Sequence, residues 1–313
     1  MTNILILMKH FMLAGFFLLG ICGITWGQMN VVCTTGMVGD LARHIGGNRV
    51  KVTVLMAEGV DPHLFKPTRD DVAKILKADL VFYNGLHLEG RMEDTFEKLR
   101  AKGKMILPVT SAIPEQTLLK DGTAVDPHVW MNPGLWADCT KSVCESLTKK
   151  DPAGAKLFAE NATRYANQLV AIESQMRSSI ATIPENQRVL ITAHDAFQYF
   201  ARATGLTVMS IQGLSTASEA GVADINRLVD AIVARRIPAI FVESTLSEKN
   251  IRAVIEGAAS RGVAVKLGGM LFADSMGKAG TPEGTYAGMI EHNVSTITQA
   301  LGGRVPSKDA TKP

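Results

Sequence analysis

Two tripeptides carry the clearest chemical signal in the chain: Asp61-Pro62-His63 and Asp126-Pro127-His128, 65 positions apart. Each sets a histidine behind a proline. Proline fixes its own φ and restricts the residue before it, so both imidazoles are expected on stiff loops. A third histidine stands in Thr192-Ala193-His194-Asp195, and a carboxylate in a similar setting in Phe272-Ala273-Asp274-Ser275. Three imidazoles and one carboxylate make a complete donor set for a divalent transition metal. The four residues come from four distant segments, which suits a cleft between two lobes.

The neighbouring polar residues are open to two readings. Asp61 and Asp126 form turns before proline; alternatively, they accept a hydrogen bond from an imidazole N–H. His10, His44 and His292 read as surface or core residues. His87, in Asn84-Gly85-Leu86-His87-Leu88-Glu89, follows a strand and reads as structural or as a support beside the cleft.

The elements that must position these residues show in the hydrophobic periodicity. Residues 30–35, Val50–Met56, Asp79–Asn84 and Met105–Val109 read as strands. Helices fall between them at Gly36–Ile45, from the Thr68 cap to Leu76, and at Met92–Ala101. The rhythm restarts with strands at Arg188–Thr192, Thr207–Ile211, Ala239–Val242 and Val263–Leu267. Here the helices are Ala196–Thr204, Ala223–Arg235, Glu248–Arg261 and a closing Gly284–Leu301. Such alternation predicts α/β lobes built on parallel sheets. Ligands of open α/β sheets bind beyond the carboxyl ends of strands, and His63, His194 and Asp274 all have that placement.

Between the two units, Phe158, Ala162, Tyr165, Leu169, Ile172, Met176, Ile180 and Ile183 recur every three or four residues without Gly or Pro. They predict one amphipathic helix of about 28 residues and roughly 40 Å. The expected organisation is therefore an N-terminal lobe at 28–155, a linking helix at 156–184 and a C-terminal lobe at 185–303. A polar tail, 304–313, is expected to be disordered. A continuous helix between lobes predicts a stiff connection and limited closure.

Residues 1–27 have the form of a secretory signal peptide. Lys9 and His10 precede an apolar run from Phe11 to Ile24, about 14 residues against the roughly 20 needed to span a bilayer. Thr25 and Gly27 suit a cut before Gln28. Cys22 allows a lipid anchor, but Ile21 before it fits that reading poorly. Cys33, Cys139 and Cys144 are odd in number and read as small buried hydrophobes. The net charge is +3, with no long Lys/Arg run and no glycine-rich phosphate loop, which argues against nucleic acid and nucleotide as partners.

Taken together, these segments resemble the metal-binding solute receptors of bacterial ABC importers for zinc and manganese, the TroA-like (cluster A-I) periplasmic binding proteins. The likeness covers about 30–303. It is carried by Gly59-Val60-Asp61-Pro62-His63, Asn84 to Glu89, Asp126 to Trp130, Thr192 to Phe197, Gly213-Leu214-Ser215-Thr216-Ala217-Ser218-Glu219, and Leu271 to Ser275. The resemblance implies two α/β lobes on a backbone helix, with His63, His128, His194 and Asp274 as ligands. It implies capture of an ion, without catalysis, and delivery to a permease in the cytoplasmic membrane. The chain is expected to act as a monomer.

Relatives of the manganese type typically carry Glu where this chain has His194. A third imidazole favours zinc, with manganese next and iron third. Dedicated zinc relatives often carry a His-rich loop, and Pro114 to Val125 has no histidine. Binding is expected to weaken as pH falls through the imidazole range, because protons compete for the ligands. Two other functions suit parts of this pattern. A secreted zinc hydrolase would keep one coordination position open, and Glu219 or Glu243 could act as its base; Asp274 fills that position here. A metal-binding surface adhesin would need an anchor such as Cys22.

Overall fold

Each lobe is a parallel α/β unit, as the periodicity predicts, and one long helix runs against both. The computed structural model describes residues 27–305, with the exception of Glu219. The signal-peptide, lipid-anchor and tail readings fall on or largely on residues outside that range.

In the first lobe, β1 (Met29–Cys33), β2 (Val50–Val54), β3 (Leu80–Tyr83) and β4 (Ile106–Pro108) form a parallel sheet in the order β2-β1-β3-β4. Val31 pairs with both Val52 and Leu80, which fixes the register at the centre. The crossovers are α1 (Gly36–Gly46), α2 (Arg69–Lys77) and α3 (Glu93–Arg100). Thr35 caps α1, and Thr68 with Asp71 forms a capping box on α2. A small antiparallel pair, β5 (Lys120–Asp121) and β6 (Ala124–Val125), leads into the second histidine loop.

Two helices then follow. The first, α4 (Pro133–Lys150), opens on an Asn132 cap with proline at its first position. The second, α5 (Ala155–Ile180), is the linking helix, about 39 Å long at 1.5 Å per residue. Its buried stripe includes Phe158, Ala162, Tyr165, Leu169, Ile172, Met176 and Ile180.

The second lobe has two parallel pairs, β7 (Val189–Thr192) with β8 (Thr207–Ser210) and β9 (Ala239–Glu243) with β10 (Lys266–Leu271). The pairs adjoin through β7 and β9. Their helices are α6 (Gln198–Thr204), α7 (Val222–Arg235), α8 (Lys249–Ser260) and α9 (Tyr286–Ala300). The last strand differs from the sequence reading, which placed it at Val263–Leu267, short of Gly268 and Gly269. Both glycines lie within β10, where the register shifts between Leu267 and Met270. An added Cβ at Gly268 would stand 2.6 Å from the Phe241 ring, and one at Gly269 2.7 Å from Thr296. The pair lets β10 lie close under α9, and Gly269 has φ +132.

One hydrophobic cluster runs unbroken from Val31 and Phe82 in the first lobe, through Tyr165 and Leu169 on α5, to Leu190 and Phe241 in the second. Polar contacts reinforce it. Arg49 grips Asp151 through two bonds of 2.6 and 2.9 Å, tying the end of α1 to the start of α5. Tyr165 on α5 donates to the buried Asp40 carboxylate on α1, which also accepts from Tyr286 N of α9 at 3.3 Å. Burial, with Asp40 beside it, pushes the Tyr165 phenol well above its ordinary pKa, so the hydroxyl stays a donor. Among the described residues, Cys33, Cys139 and Cys144 are free thiols; burial raises Cys33 to about 12, in keeping with a hydrophobic role. No helix among the described residues is long and apolar enough to cross a membrane.

Asp40 thus joins three helices from both lobes. Tyr165→Phe removes one donor and leaves a buried carboxylate short of a partner, a loss of about 1–3 kcal/mol. Thermal unfolding followed by circular dichroism should show Tm falling by about 2–4 °C per kcal/mol. An unchanged Tm would mean that Asp40 does not depend on this bond.

Candidate metal centre

The two Asp-Pro-His tripeptides fold alike. Asp61 Oδ1 accepts from His63 N at 2.8 Å, and Asp126 Oδ1 accepts from His128 N at 2.9 Å. Each aspartate closes a tight turn over its proline and aims the next side chain. They then diverge. Asp126 Oδ1 also lies 2.7 Å from His128 Nδ1, so this carboxylate orients the ring as well. Asp61 instead accepts from Thr216 Oγ1 of the second lobe at 2.6 Å. Both readings of Asp126 therefore hold together, whereas Asp61 acts as a turn residue.

The His128 loop has a second support. Asn84 Nδ2 donates to Pro127 O at 3.0 Å. Asn84 is held in turn by Glu89, whose buried carboxylate accepts from Asn84 N at 2.8 Å, Gly85 N at 3.2 Å and Thr34 Oγ1 at 2.6 Å. Between them Gly85, Leu86 and His87 all have positive φ, of 89, 54 and 64. Two non-glycine residues in that region are strained, and the Glu89 bonds hold the loop in place. His87 itself points to solvent beside Glu93.

His194 follows β7 by two residues. Glu243, the last residue of β9, accepts from His194 N at 2.9 Å with one oxygen and pairs with Nδ1 through the other. Asp274 follows β10 by three residues, and the neighbouring Ala273 O accepts from Trp130 Nε1 at 2.9 Å. His128 and His194 are thus each engaged through Nδ1 by a carboxylate, which leaves Nε2 free to act as a ligand.

The free nitrogens meet around one carboxylate. His63 Nε2 lies 3.2 Å from His128 Nε2. Asp274 Oδ2 lies 3.5 Å from His63 Nε2 and 3.2 Å from His194 Nε2, and Oδ1 lies 3.4 Å from His128 Nε2. One donor atom from each of the four residues falls within 4.8 Å of all the others. A tetrahedral ion bound at about 2.0–2.1 Å places its ligand atoms about 3.3–3.4 Å apart, so the spacing fits such an ion.

All four residues are buried, with His63 the most accessible at 7%. Both Asp274 oxygens and His194 Nε2 lack a hydrogen-bond partner among the described residues. An ionised carboxylate only accepts, and an unprotonated imidazole whose Nδ1–H is engaged presents a bare Nε2 lone pair that offers it no proton. A cation at the centre satisfies all of them at once.

Protons compete with such a cation unequally at these groups. Burial depresses the His63 imidazole to about 4, so it is unprotonated at neutral pH. Burial also pulls His194 down, but Glu243 and Asp274 together outweigh it and raise its pKa. For Asp274 burial acts upward, and the facing imidazoles, His194 foremost, override it and hold the carboxyl well below its usual range.

The four residues singled out in the sequence are therefore brought together. The remaining histidines lie elsewhere: His44 stacks on Tyr165, and His292 Nε2 lies 2.9 Å from Met270 O. His10 and Glu219 fall outside the described residues. Glu243 was a general-base candidate, yet both of its oxygens are engaged by His194. Its position at the carboxyl end of an apolar strand was the signal for a role beside the site. Asn84 and Glu89 gave no such signal beyond their motif, because their effect on His128 passes through a backbone carbonyl.

Comparison with known proteins bears on the fold and the family. Residues 31–300 match the family described as ZnuA, zinc-uptake complex component A, periplasmic. The manganese-binding lipoprotein MntA of Bacillus subtilis is 46% identical over 276 residues, covering 88% of this chain and 90% of the relative. The zinc-binding protein TroA of Treponema pallidum is 44% identical, covering 88% and 89%. The solved structure of the periplasmic zinc-binding protein TroA from Treponema pallidum superposes with a TM-score of 0.86 at 43% identity, over 89% of this chain and all of that one. With its two lobes, its long helix and a match across most of its length, the chain belongs to the ZnuA family of periplasmic metal-uptake components.

Proposed function

We propose that this chain captures a divalent transition metal outside the cytoplasm and delivers it to an ABC importer, with zinc the preferred cargo and manganese the next. The observation that carries this reading is the buried set of His63, His128, His194 and Asp274, whose donor atoms stand 3.2–3.5 Å apart around unpartnered oxygens. The ion is cargo, and no reaction is performed on it. His63 and His128 reach it from the lobe at 28–155, and His194 and Asp274 from the lobe at 185–303, with 156–184 as the link. Residues 1–27 serve as the export signal. The loaded monomer docks on a membrane permease that accepts the ion.

Three imidazoles favour zinc, a borderline-soft ion, and the general affinity order also places it above manganese. The relatives named for manganese and for zinc are nearly equal in identity, so overall likeness does not rank the two metals.

Metal analysis of protein purified from its native compartment without chelators should find one equivalent of zinc. One equivalent of manganese would make metal supply and the transporter, rather than ligand softness, the determinants of cargo. Protein that holds no metal even after reloading would sink the proposal.

The residue roles have their own test. In zinc titrations against a competing chelator, His63→Ala and Asp274→Ala should each lose more than about a hundredfold in affinity, beyond what losing a supporting residue costs. Glu243→Gln, which keeps the shape but weakens the grip on Nδ1, should lose about 10–100-fold. Wild-type affinity in His63→Ala and Asp274→Ala would show that the ion sits elsewhere.

A further inference from the structure

The segment Gly213 to Glu219 is prominent in the sequence, yet none of its described residues belongs to the cage. One of them, Thr216, reaches across the cleft. Its hydroxyl donates to Asp61 Oδ2 at 2.6 Å, while Asp61 Oδ1 accepts from His63 N at 2.8 Å. A single carboxylate therefore links a ligand's own backbone to the opposite lobe. Thr216 is itself well fixed at 8% exposure. Its segment is pinned to the His194 loop by Gln212 N to Ala193 O at 3.0 Å and Asp195 N to Gly213 O at 3.2 Å. A continuous path thus runs from the His194 loop, through Thr216 and Asp61, to His63.

The two first-lobe ligands differ in how they are held. The His128 loop is fastened to the second lobe by three buried bonds: Trp130 Nε1 to Ala273 O, Tyr286 Oη to Trp130 O, and Tyr199 Oη to Asp126 O. Among the described residues, the His63 loop crosses the cleft through two part-buried bonds, Thr216 to Asp61 and Gly59 N to Ser275 Oγ at 2.9 Å. A cavity of about 150 Å³, lined by Ala57, Glu58 and Val60 on one side and Asp274 and Met276 on the other, lies under this loop. The loop has space beside it, and its ligand depends on the two clasps.

We propose that Thr216 is a positioning residue for the metal site: through Asp61 it clasps the His63 loop over the ion, and so sets the rate at which bound metal escapes. Release then proceeds by lifting His63, while His128, His194 and Asp274 stay in place. This rests on the reading of the four residues as ligands.

The test uses the full mature chain loaded with zinc, with release followed by stopped-flow capture in excess chelator. Thr216→Val keeps the shape and removes the donor. A lost bond to a charged acceptor should speed zinc release about tenfold. Thr216→Ser restores the hydroxyl and should release at the wild-type rate. Ser275→Ala, which opens the other clasp, should also speed release if Thr216→Val proves too unstable to study. The rate of zinc capture should be the same in Thr216→Val and wild type, so that escape alone changes, which a purely structural role would not give. Wild-type release from Thr216→Val would overturn the clasp and leave the metal site intact. Equal acceleration in the Ser and Val variants would overturn it too, since shape rather than the hydroxyl would then matter. A wild-type protein that binds no zinc would remove both the clasp and the reading beneath it.

Discussion

Everything at the cleft follows from one unpaid charge. Asp274 is buried, its carboxyl is held in the ionised form, and neither oxygen has a hydrogen-bond partner among the described residues. Taking a carboxylate out of water is costly, and the facing imidazoles, His194 foremost, offset that cost only in part. The folded chain thus carries a site whose own polar groups are incomplete. That is a poor arrangement for stability and a good one for binding, because a divalent cation supplies what every group there lacks. The flanking carboxylates, Asp126 and Glu243, extend the same logic outwards: they bind the far nitrogens and commit His128 and His194 to presenting Nε2 inwards.

Such a site persists only if the scaffold prevents its collapse or opening. The unbroken core from β1 through α5 to β9 makes the lobes behave as one packed body. Asp40 adds a polar junction of α1, α5 and α9, and Trp130 bolts the His128 loop to Ala273 beside Asp274. Interiors packed in this way shift between discrete arrangements and do not deform smoothly. A wide hinge motion would have to break the core, whereas lifting one loop breaks two hydrogen bonds. The stiffness read from the uninterrupted 156–183 periodicity points the same way: motion is confined to where the packing is thinnest.

The parts of this design that obey local rules were legible in the sequence. The Asp-Pro-His repeats, the helix periodicity of α5 and the alternating strands each depend on residues near one another in the chain, and they reappear within a few positions. Helix α4 is not among the elements that the periodicity picks out, although Asn132-Pro133 is a strong start signal and Trp136, Val143 and Leu147 repeat at helical spacing. β10 was misplaced because glycines normally end strands, and only the approach of Phe241 and Thr296 explains two of them inside one. Glu243 and Thr216 act across 49 and 155 positions of sequence, through contacts that no local pattern encodes.

The same distinction bears on metal choice. Ligand identity, which the sequence displays, supplies three nitrogens and a carboxylate and so leans to zinc. The relatives named for manganese and zinc share this chain's overall pattern almost equally, so choice must rest on finer features. One such feature is the count of donors available at the centre. The cage offers four residues at tetrahedral spacing, or five atoms if Asp274 binds through both oxygens. An ion that prefers six oxygen-rich ligands must recruit the rest from water in a site lined by buried side chains. Among the described residues, the His63 loop is the more loosely fastened of the two first-lobe ligand loops. An ion needing more room would have to displace that loop, and would meet the Thr216–Asp61 clasp in doing so. On this argument, the contact that slows escape of a four-coordinate ion also penalises a larger coordination sphere, so retention and selectivity would share one hydrogen bond.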